Sequence, residues 1–179
     1  MYTKFKHIHL TFKQRKSNSP GSIFHVAAGF QLALYKGQKV AVKNLDLSKI
    51  NLSRQLLLEL KLVREMNHDN LLRYVGLCVT EPNFAIVTDF ATRGTLMDML
   101  SNHSINIDWM FSCSIITDIA EGMNFIHGSK IEYHGSLRSD NCLIDGRFVV
   151  KLSNFGLKEL LQQTVAPQHE DACEYTRHI

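Results

Sequence analysis

An α+β fold is predicted for this 179-residue chain, strand-rich in its first half and helical as the second half opens. Three observations predict it. Short apolar runs interrupted by Gly and turn residues fill the stretch up to Asn44. Leu56, Leu60, Val63 and Met66 then recur at helical spacing. A second, longer helical period follows Asp108. With 45% hydrophobic and 21% charged residues the chain can bury a core, and one domain is the expectation for its length.

Residues 1–22 mix Lys, Arg, Ser, Asn and Pro and close on Ser17-Asn18-Ser19-Pro20-Gly21, which predicts a basic, disordered leader ending in a turn. Between Ile23 and Asn44 the apolar runs break at Gly29 and at Lys36-Gly37-Gln38, so Val40-Ala41-Val42 reads as a buried strand entered from a hairpin. The stretch from Leu52 to Met66 is an amphipathic helix with one core-facing stripe. Leu71 to Val79 and Phe84 to Thr88 follow as strands joined through Glu81-Pro82-Asn83, and a short helix covers Thr95 to Leu100. Asp108 suits an N-cap, since its carboxylate can accept from the first free N–H groups of a helix running to about His127. On that helix Ile116, Ile119, Ala120, Met123 and Ile126 are expected to form the apolar face. Cys142-Leu143-Ile144 and the run from Phe148 to Leu152 flank Asp145-Gly146, a hairpin signal. The sequence holds no internal repeat and no low-complexity tract.

The formal charge of +3 conceals an asymmetry: residues 1–45 hold eight Lys/Arg and no acid, while the remainder holds twelve against seventeen Asp/Glu. Such a basic leader is either solvated or lies beside anionic lipid headgroups. Nucleic-acid binding is not expected, because no aromatic stacking pattern or reading helix accompanies the charge. No uninterrupted apolar run approaches the ~18 residues of a membrane helix, and the start of the chain lacks a signal peptide's apolar core, so a soluble chain is expected. Cys78, Cys113, Cys142 and Cys173 are widely spaced, without a C-x-x-C pair or clustered His. That pattern argues against a zinc site or a disulfide framework and for a reducing, cytosolic setting.

The chemistry is concentrated in His134-Gly135-Ser136-Leu137-Arg138-Ser139-Asp140-Asn141 and Lys151-Leu152-Ser153-Asn154-Phe155-Gly156. Phosphoryl transfer of the H-R-D-x-x-x-x-N and D-F-G type needs one Asp to accept the substrate's proton and another to ligate Mg²⁺. Those positions hold Ser136 and Asn154. A hydroxyl cannot take the proton near neutral pH, and a neutral amide binds Mg²⁺ far less well than a carboxylate. Two further segments, Tyr35-Lys36-Gly37-Gln38-Lys39-Val40-Ala41-Val42-Lys43 and Asp108-Trp109-Met110-Phe111, precede these in workable order. Together with Asp145 to Leu152 they cover about two thirds of the chain. The region from about 35 to 160 thus resembles the kinase-homology (pseudokinase) domain of a receptor-type guanylate cyclase, of the natriuretic-peptide-receptor kind.

The resemblance implies a two-lobed, protein-kinase-like fold. An antiparallel sheet with one helix would form the N-lobe and hinge at 23–91, and a helical, truncated C-lobe would occupy 92–179. It implies ATP as the ligand. Lys43 would contact the α and β phosphates and pair with Glu59 on the first helix. Asp89 and Ala91, following the apolar Ala85-Ile86-Val87, would bind the adenine through backbone groups, with Ala41 and Leu143 above and below it. Arg138 would replace the usual loop lysine, and Asn141 would be a weak Mg²⁺ ligand. The phosphate cover is reduced to Ala27-Ala28-Gly29, and glycines matter there because only a backbone without Cβ approaches phosphate oxygens closely. Any phosphate grip must therefore be loose.

No competent catalytic group is expected. Asp140 is the one acid that could bend toward a substrate hydroxyl, but a loop aspartate is more readily a capping or solvent-facing residue. In the family resembled, the domain lies on the cytoplasmic face of the plasma membrane. It relays receptor occupancy, as part of a homodimer, through a linker to a cyclase domain that converts GTP to cyclic GMP and pyrophosphate. Ser17, Ser19 and Ser22 would be phosphorylation sites in that setting. The later helices, the linker, the cyclase domain and the membrane span are not in this sequence, so the helix after Asp108 is expected to leave apolar surface uncovered. The competing readings are an active Ser/Thr or Tyr kinase with substitute residues and a scaffold that binds no nucleotide.

Overall fold

The computed structural model describes residues 11–12, 30–47, 49–80, 83–102 and 104–164. Seven strands and four helices follow in order: β1 (Thr11–Phe12), β2 (Phe30–Tyr35), β3 (Gln38–Asn44), α1 (Arg54–Glu65), β4 (Tyr74–Thr80), β5 (Asn83–Asp89), α2 (Leu96–Ser101), α3 (Trp109–His127), β6 (Cys142–Ile144), β7 (Val150–Leu152) and α4 (Lys158–Thr164). The first half is a five-stranded antiparallel sheet in the order β1-β2-β3-β5-β4. The second half carries α2, α3 and the β6–β7 hairpin. This is the expected α+β architecture of a sheet lobe followed by a partial helical lobe.

The hairpin at Lys36-Gly37 forms because both residues take positive φ, 49° and 80°, which lets β2 run straight back as β3. Val40, Ala41 and Val42 on β3 are all buried, as a central strand with neighbours on both edges requires. The leader is not wholly without structure, since Thr11 and Phe12 add an edge strand opposite Leu34 and Ala33. The rest of it, including the three serines, lies outside the described residues, as do Ala27-Ala28-Gly29 and Cys173. Strand β4 begins at Tyr74 rather than Leu71, because Leu71 leaves the sheet to bridge Leu152. Likewise β7 starts at Val150, since Phe148 sits in the turn with φ 65°.

Helix α1 is capped by Ser53, whose Oγ accepts from the Leu56 N–H at 3.0 Å, and it buries Leu56, Leu60 and Val63 as the spacing predicts. Helix α2 starts at Thr95 with a reciprocal capping box: Asp98 N–H to Thr95 Oγ1, and Thr95 N–H to Asp98 Oδ2. On α3 the cap at Asp108 is as expected, with a 2.7 Å bond from Phe111 N–H, but the buried face is not. Ile115, Gly122 and Ile126 face the core, with Ile119 and Met123 packed against it, while Ile116 is 60% exposed and Ala120 is exposed. The reason is Gly122. A Cβ there would meet Leu152 at 2.9 Å and the Asn70 carbonyl at 3.0 Å, so only a glycine lets α3 approach this close, and that contact fixes its rotation.

One core cluster joins the two halves: Leu56, Leu60 and Val63 of α1, Leu77, Phe84 and Ile86 of the sheet, and Ile126, Leu152, Phe155 and Leu160 beyond it. Backbone bonds reinforce the joint, from Leu72 N–H to Leu152 O and from Leu152 N–H to Asn70 O, both 2.8 Å. No described helix is long and apolar enough to cross a membrane.

Candidate functional site

Two groups of residues meet where the halves join. The first is a small cavity lined by Phe30, Ala41, Asp89, Phe90, Ala91, Gly94 and Leu143. Four of the residues expected to surround a base, Ala41, Asp89, Ala91 and Leu143, are therefore brought together. Ala41 comes from the central strand β3 and Leu143 from β6, so the cavity has a wall from each half. Beneath it Leu72, Ala91 and Leu143 form a buried apolar cluster. The Asp89 N–H is committed to Arg73 O at 2.9 Å, and Ala91 leads into the turn at residues 92–93. The Asp89 carboxyl is held above its usual range by burial, against the pull of Arg73 and Lys151. The cavity encloses only about 10 Å³, room for one water.

Lys43 and Glu59 form no ion pair, contrary to expectation. The Lys43 ammonium lies over the Phe30 ring, 5.7 Å from its centroid, because the two residues are directly opposite on β3 and β2. Phe30 thus walls the cavity and holds the cation that was expected to reach phosphates. Glu59 turns the other way and accepts the Glu159 N–H through both oxygens, at 3.0 and 3.3 Å. Burial raises its pKa; the bond from Glu159 opposes that rise, and the Glu159 carboxylate adds to it.

The second group is the loop from His134 to Asn141 with Asn154. Asn154 Nδ2 donates to Asn141 Oδ1 at 2.6 Å, and Asn141 Nδ2 donates to the Ser136 carbonyl, also at 2.6 Å. The Ser136 hydroxyl reaches the Asn154 carbonyl at 3.4 Å. Three uncharged residues are therefore bonded to one another through their side chains and two backbone carbonyls. Asn154 takes φ 63°, a left-handed conformation that Asn tolerates through its short polar side chain. Gly156 follows at φ 66°, where a Cβ would meet Ile131 at 2.8 Å and Val63 at 3.0 Å. The loop is anchored by the buried His134, whose Nδ1 accepts from Ser136 N–H and whose ring stands edge-on to Phe155. Burial lowers the His134 pKa, so the neutral ring is the native form.

Arg138 does not reach the cavity; it pairs with Asp140 at 2.9 Å, on the surface. Asp140 is thus a solvent-facing partner of Arg138 rather than a base aimed at the Ser136 position. Among the described residues no His/Cys/Asp/Glu cluster suits a metal ion. Sequence reasoning missed Phe30, which reads only as the first residue of an alternating strand, and α4 altogether. The signal for α4 was present in Leu157, Leu160 and Leu161 at helical spacing around Glu159.

The chain matches the sequence profile of the family described as "Protein tyrosine and serine/threonine kinase" over residues 20–176. It is 45% identical over 160 residues to Atrial natriuretic peptide receptor 2 of Anguilla japonica, covering 87% of this chain and 15% of that protein. It is 41% identical over 161 residues to the Homo sapiens Atrial natriuretic peptide receptor 2, with 88% and 15% covered. Against Receptor-type guanylate cyclase gcy-28 of Caenorhabditis elegans the identity is 37% over 155 residues, with 81% and 12% covered. The chain therefore spans about 15% of the length of these two receptors.

Proposed function

We propose, from the premise that this chain belongs to the protein tyrosine and serine/threonine kinase family, that it is a regulatory, non-catalytic ATP-binding domain of a membrane guanylate cyclase. The observation that carries this reading is the uncharged network of Ser136, Asn141 and Asn154. General-base assistance and electrostatic stabilisation each commonly contribute factors of about 10² or more to such a reaction, and this network has no group for either. Binding is a different matter. The adenine would hydrogen-bond backbone groups of Asp89 and Ala91 between Ala41 and Leu143, and the phosphates would draw Lys43 off Phe30.

The donor set does not fit Mg²⁺ well. Mg²⁺ sites are built on carboxylates and phosphates, and here the one amide oxygen expected to ligate it, Asn141 Oδ1, already accepts a short bond from Asn154. ATP would accordingly be held by its base and by Lys43, with the metal contributing little. A ligand that favours one of two arrangements shifts their populations by its differential affinity, so occupancy can be a signal without chemistry. In the parent receptor that signal would pass to a cyclase domain converting GTP to cyclic GMP, at the cytoplasmic face, in a homodimer. A scaffold that binds no nucleotide is the second reading, and the narrowness of the cavity favours it.

Thermal unfolding of the chain with and without ATP separates the two, since a ligand that binds only the folded state must raise its apparent stability. A rise that disappears in Lys43→Ala supports the sensor. No rise at millimolar ATP supports the scaffold, and labelled γ-phosphate appearing on peptides would support an active kinase.

A further inference from the structure

Phe148 holds φ 65°, a left-handed backbone that a bulky side chain adopts only under strain. What opposes the strain is where its ring lies. The Arg93 guanidinium carbon is 3.6 Å from the ring centroid, and the Phe111 ring stands edge-on to it at 5.6 Å. Arg93 also donates through Nε and Nη2 to the Gly146 carbonyl, at 3.4 and 3.3 Å, so its planar fork grips two residues of the turn between β6 and β7. An exposed cation–ring contact and an edge-to-face ring pair are together of the same size as the strain they offset. The Phe148 conformation therefore adds little to stability; what it fixes is the location of Arg93.

The backbone of Arg93 serves the other side of the same joint. Its N–H donates to Ile144 O at 3.0 Å, the Ile144 N–H donates to Gly94 O at 2.9 Å, and Thr95 bridges Leu143. Gly94 and Leu143, drawn together by these bonds, are two walls of the cavity. One residue thus ties the segment leaving β5 to β6 through its backbone and to the following turn through its side chain. We propose that Arg93 and Phe148 are positioning residues for the cavity: the pair holds Gly94 against Leu143 and so keeps the cavity in the shape that receives a flat ring. Neither side chain need touch that ring, since both act through the backbone of residues 93–94. That the ring is the adenine of ATP rests on the reading given above; the tie itself does not.

The test is hydrogen exchange of the Arg93 and Ile144 amides in the full chain, with the Leu72 and Leu152 amides, whose bonds join the two halves elsewhere, as the control. Phe148→Gly removes the ring and the strain together, so the melting temperature is expected to stay close to that of the unmodified chain. Exchange at Arg93 and Ile144 is expected to accelerate by about fivefold, the change in population that loss of one exposed cation–ring contact produces, with the control amides unchanged. Arg93→Lys keeps the charge without the planar fork and is expected to accelerate the same two amides, whereas Phe148→Tyr keeps the ring and is expected to restore slow exchange. Unchanged exchange at Arg93 and Ile144 in both Phe148→Gly and Arg93→Lys overturns the proposal, and so does equal acceleration of all four amides, the mark of packing alone. Millimolar ATP is expected to raise the melting temperature of the unmodified chain more than that of Phe148→Gly. An equal rise in both overturns the positioning role, whereas a rise in neither removes the nucleotide reading and leaves the tie to be decided by the Arg93 and Ile144 amides.

Discussion

Asn154 donates to Asn141 through a 2.6 Å amide–amide hydrogen bond between two uncharged side chains. The bond completes a ring of neutral groups with Ser136. These groups thereby hydrogen-bond one another without any carboxylate among them.

Replacing that donor by an acceptor should reverse this. In Asn154→Asp the carboxylate faces the Asn141 oxygen without a proton between them, leaving acceptors unpaired. A loss of about 1–3 kcal/mol is expected in EDTA. Mg²⁺ or Mn²⁺ should recover part of it by bridging the two oxygens. Melting temperatures in EDTA and in Mg²⁺ check both halves, and equal values for the variant in the two buffers would count against it.

Filling the cavity from the sheet side is the second prediction. Ala41 is 7% exposed and lines the cavity, so Ala41→Leu pushes three carbons toward Leu143. Overpacking of this kind costs typically 1–3 kcal/mol. The expected outcome is a folded chain, lower-melting by that amount, whose melting curve no longer responds to ATP. A retained response would place the base elsewhere.

A helix interior ordinarily gains from Gly→Ala, by roughly 0.8–1 kcal/mol. Gly122→Ala should lose instead, because the added methyl lands 3.0 Å from a backbone carbonyl that cannot rotate away. A net loss of about 1–3 kcal/mol is expected, read as a fall of roughly 2–4 °C in melting temperature per kcal/mol for a chain of this size. No fall would mean that α3 is not held against Asn70 and Leu152 as described.

Most of the fold was legible because its signals are local. The cap at Asp108, the Lys36-Gly37 turn and the α1 stripe all follow from neighbours in the chain. The cavity was legible too, since its expected walls, Ala41, Asp89, Ala91 and Leu143, converge. Besides Phe30 and α4, three features were not. The α3 face depends on Gly122, a residue with no hydrophobic signal, on a helix whose apolar residues lie all round. The Lys43–Glu59 pair failed because Glu59 had a competing partner one hundred residues away, the backbone of Glu159. Arg138 found Asp140 two residues on, a local contact that outcompetes a distant phosphate.

Acid should weaken the fold through His134. Its pKa is lowered by burial, so the unfolded chain binds the proton more readily than the folded one. Stability is therefore expected to fall as pH drops below the ordinary His value of about 6.5, until the folded-state value is passed. Glu59 acts oppositely: its raised pKa favours the folded state at low pH, and that contribution is lost as pH rises through the folded value. Denaturant midpoints between pH 7.5 and pH 5.5 in roughly half-unit steps, for the unmodified chain and His134→Asn, check the assignment. The slope should flatten in the variant, and an unchanged slope would move the effect to another histidine.

The central claim is a nucleotide site that works without metal chemistry, and the most direct measurement is ATP affinity determined once in excess EDTA and once in excess Mg²⁺. The account predicts binding in both, with affinities within about threefold, less than the tenfold that 1.4 kcal/mol represents. Binding that appears only with Mg²⁺ would contradict it.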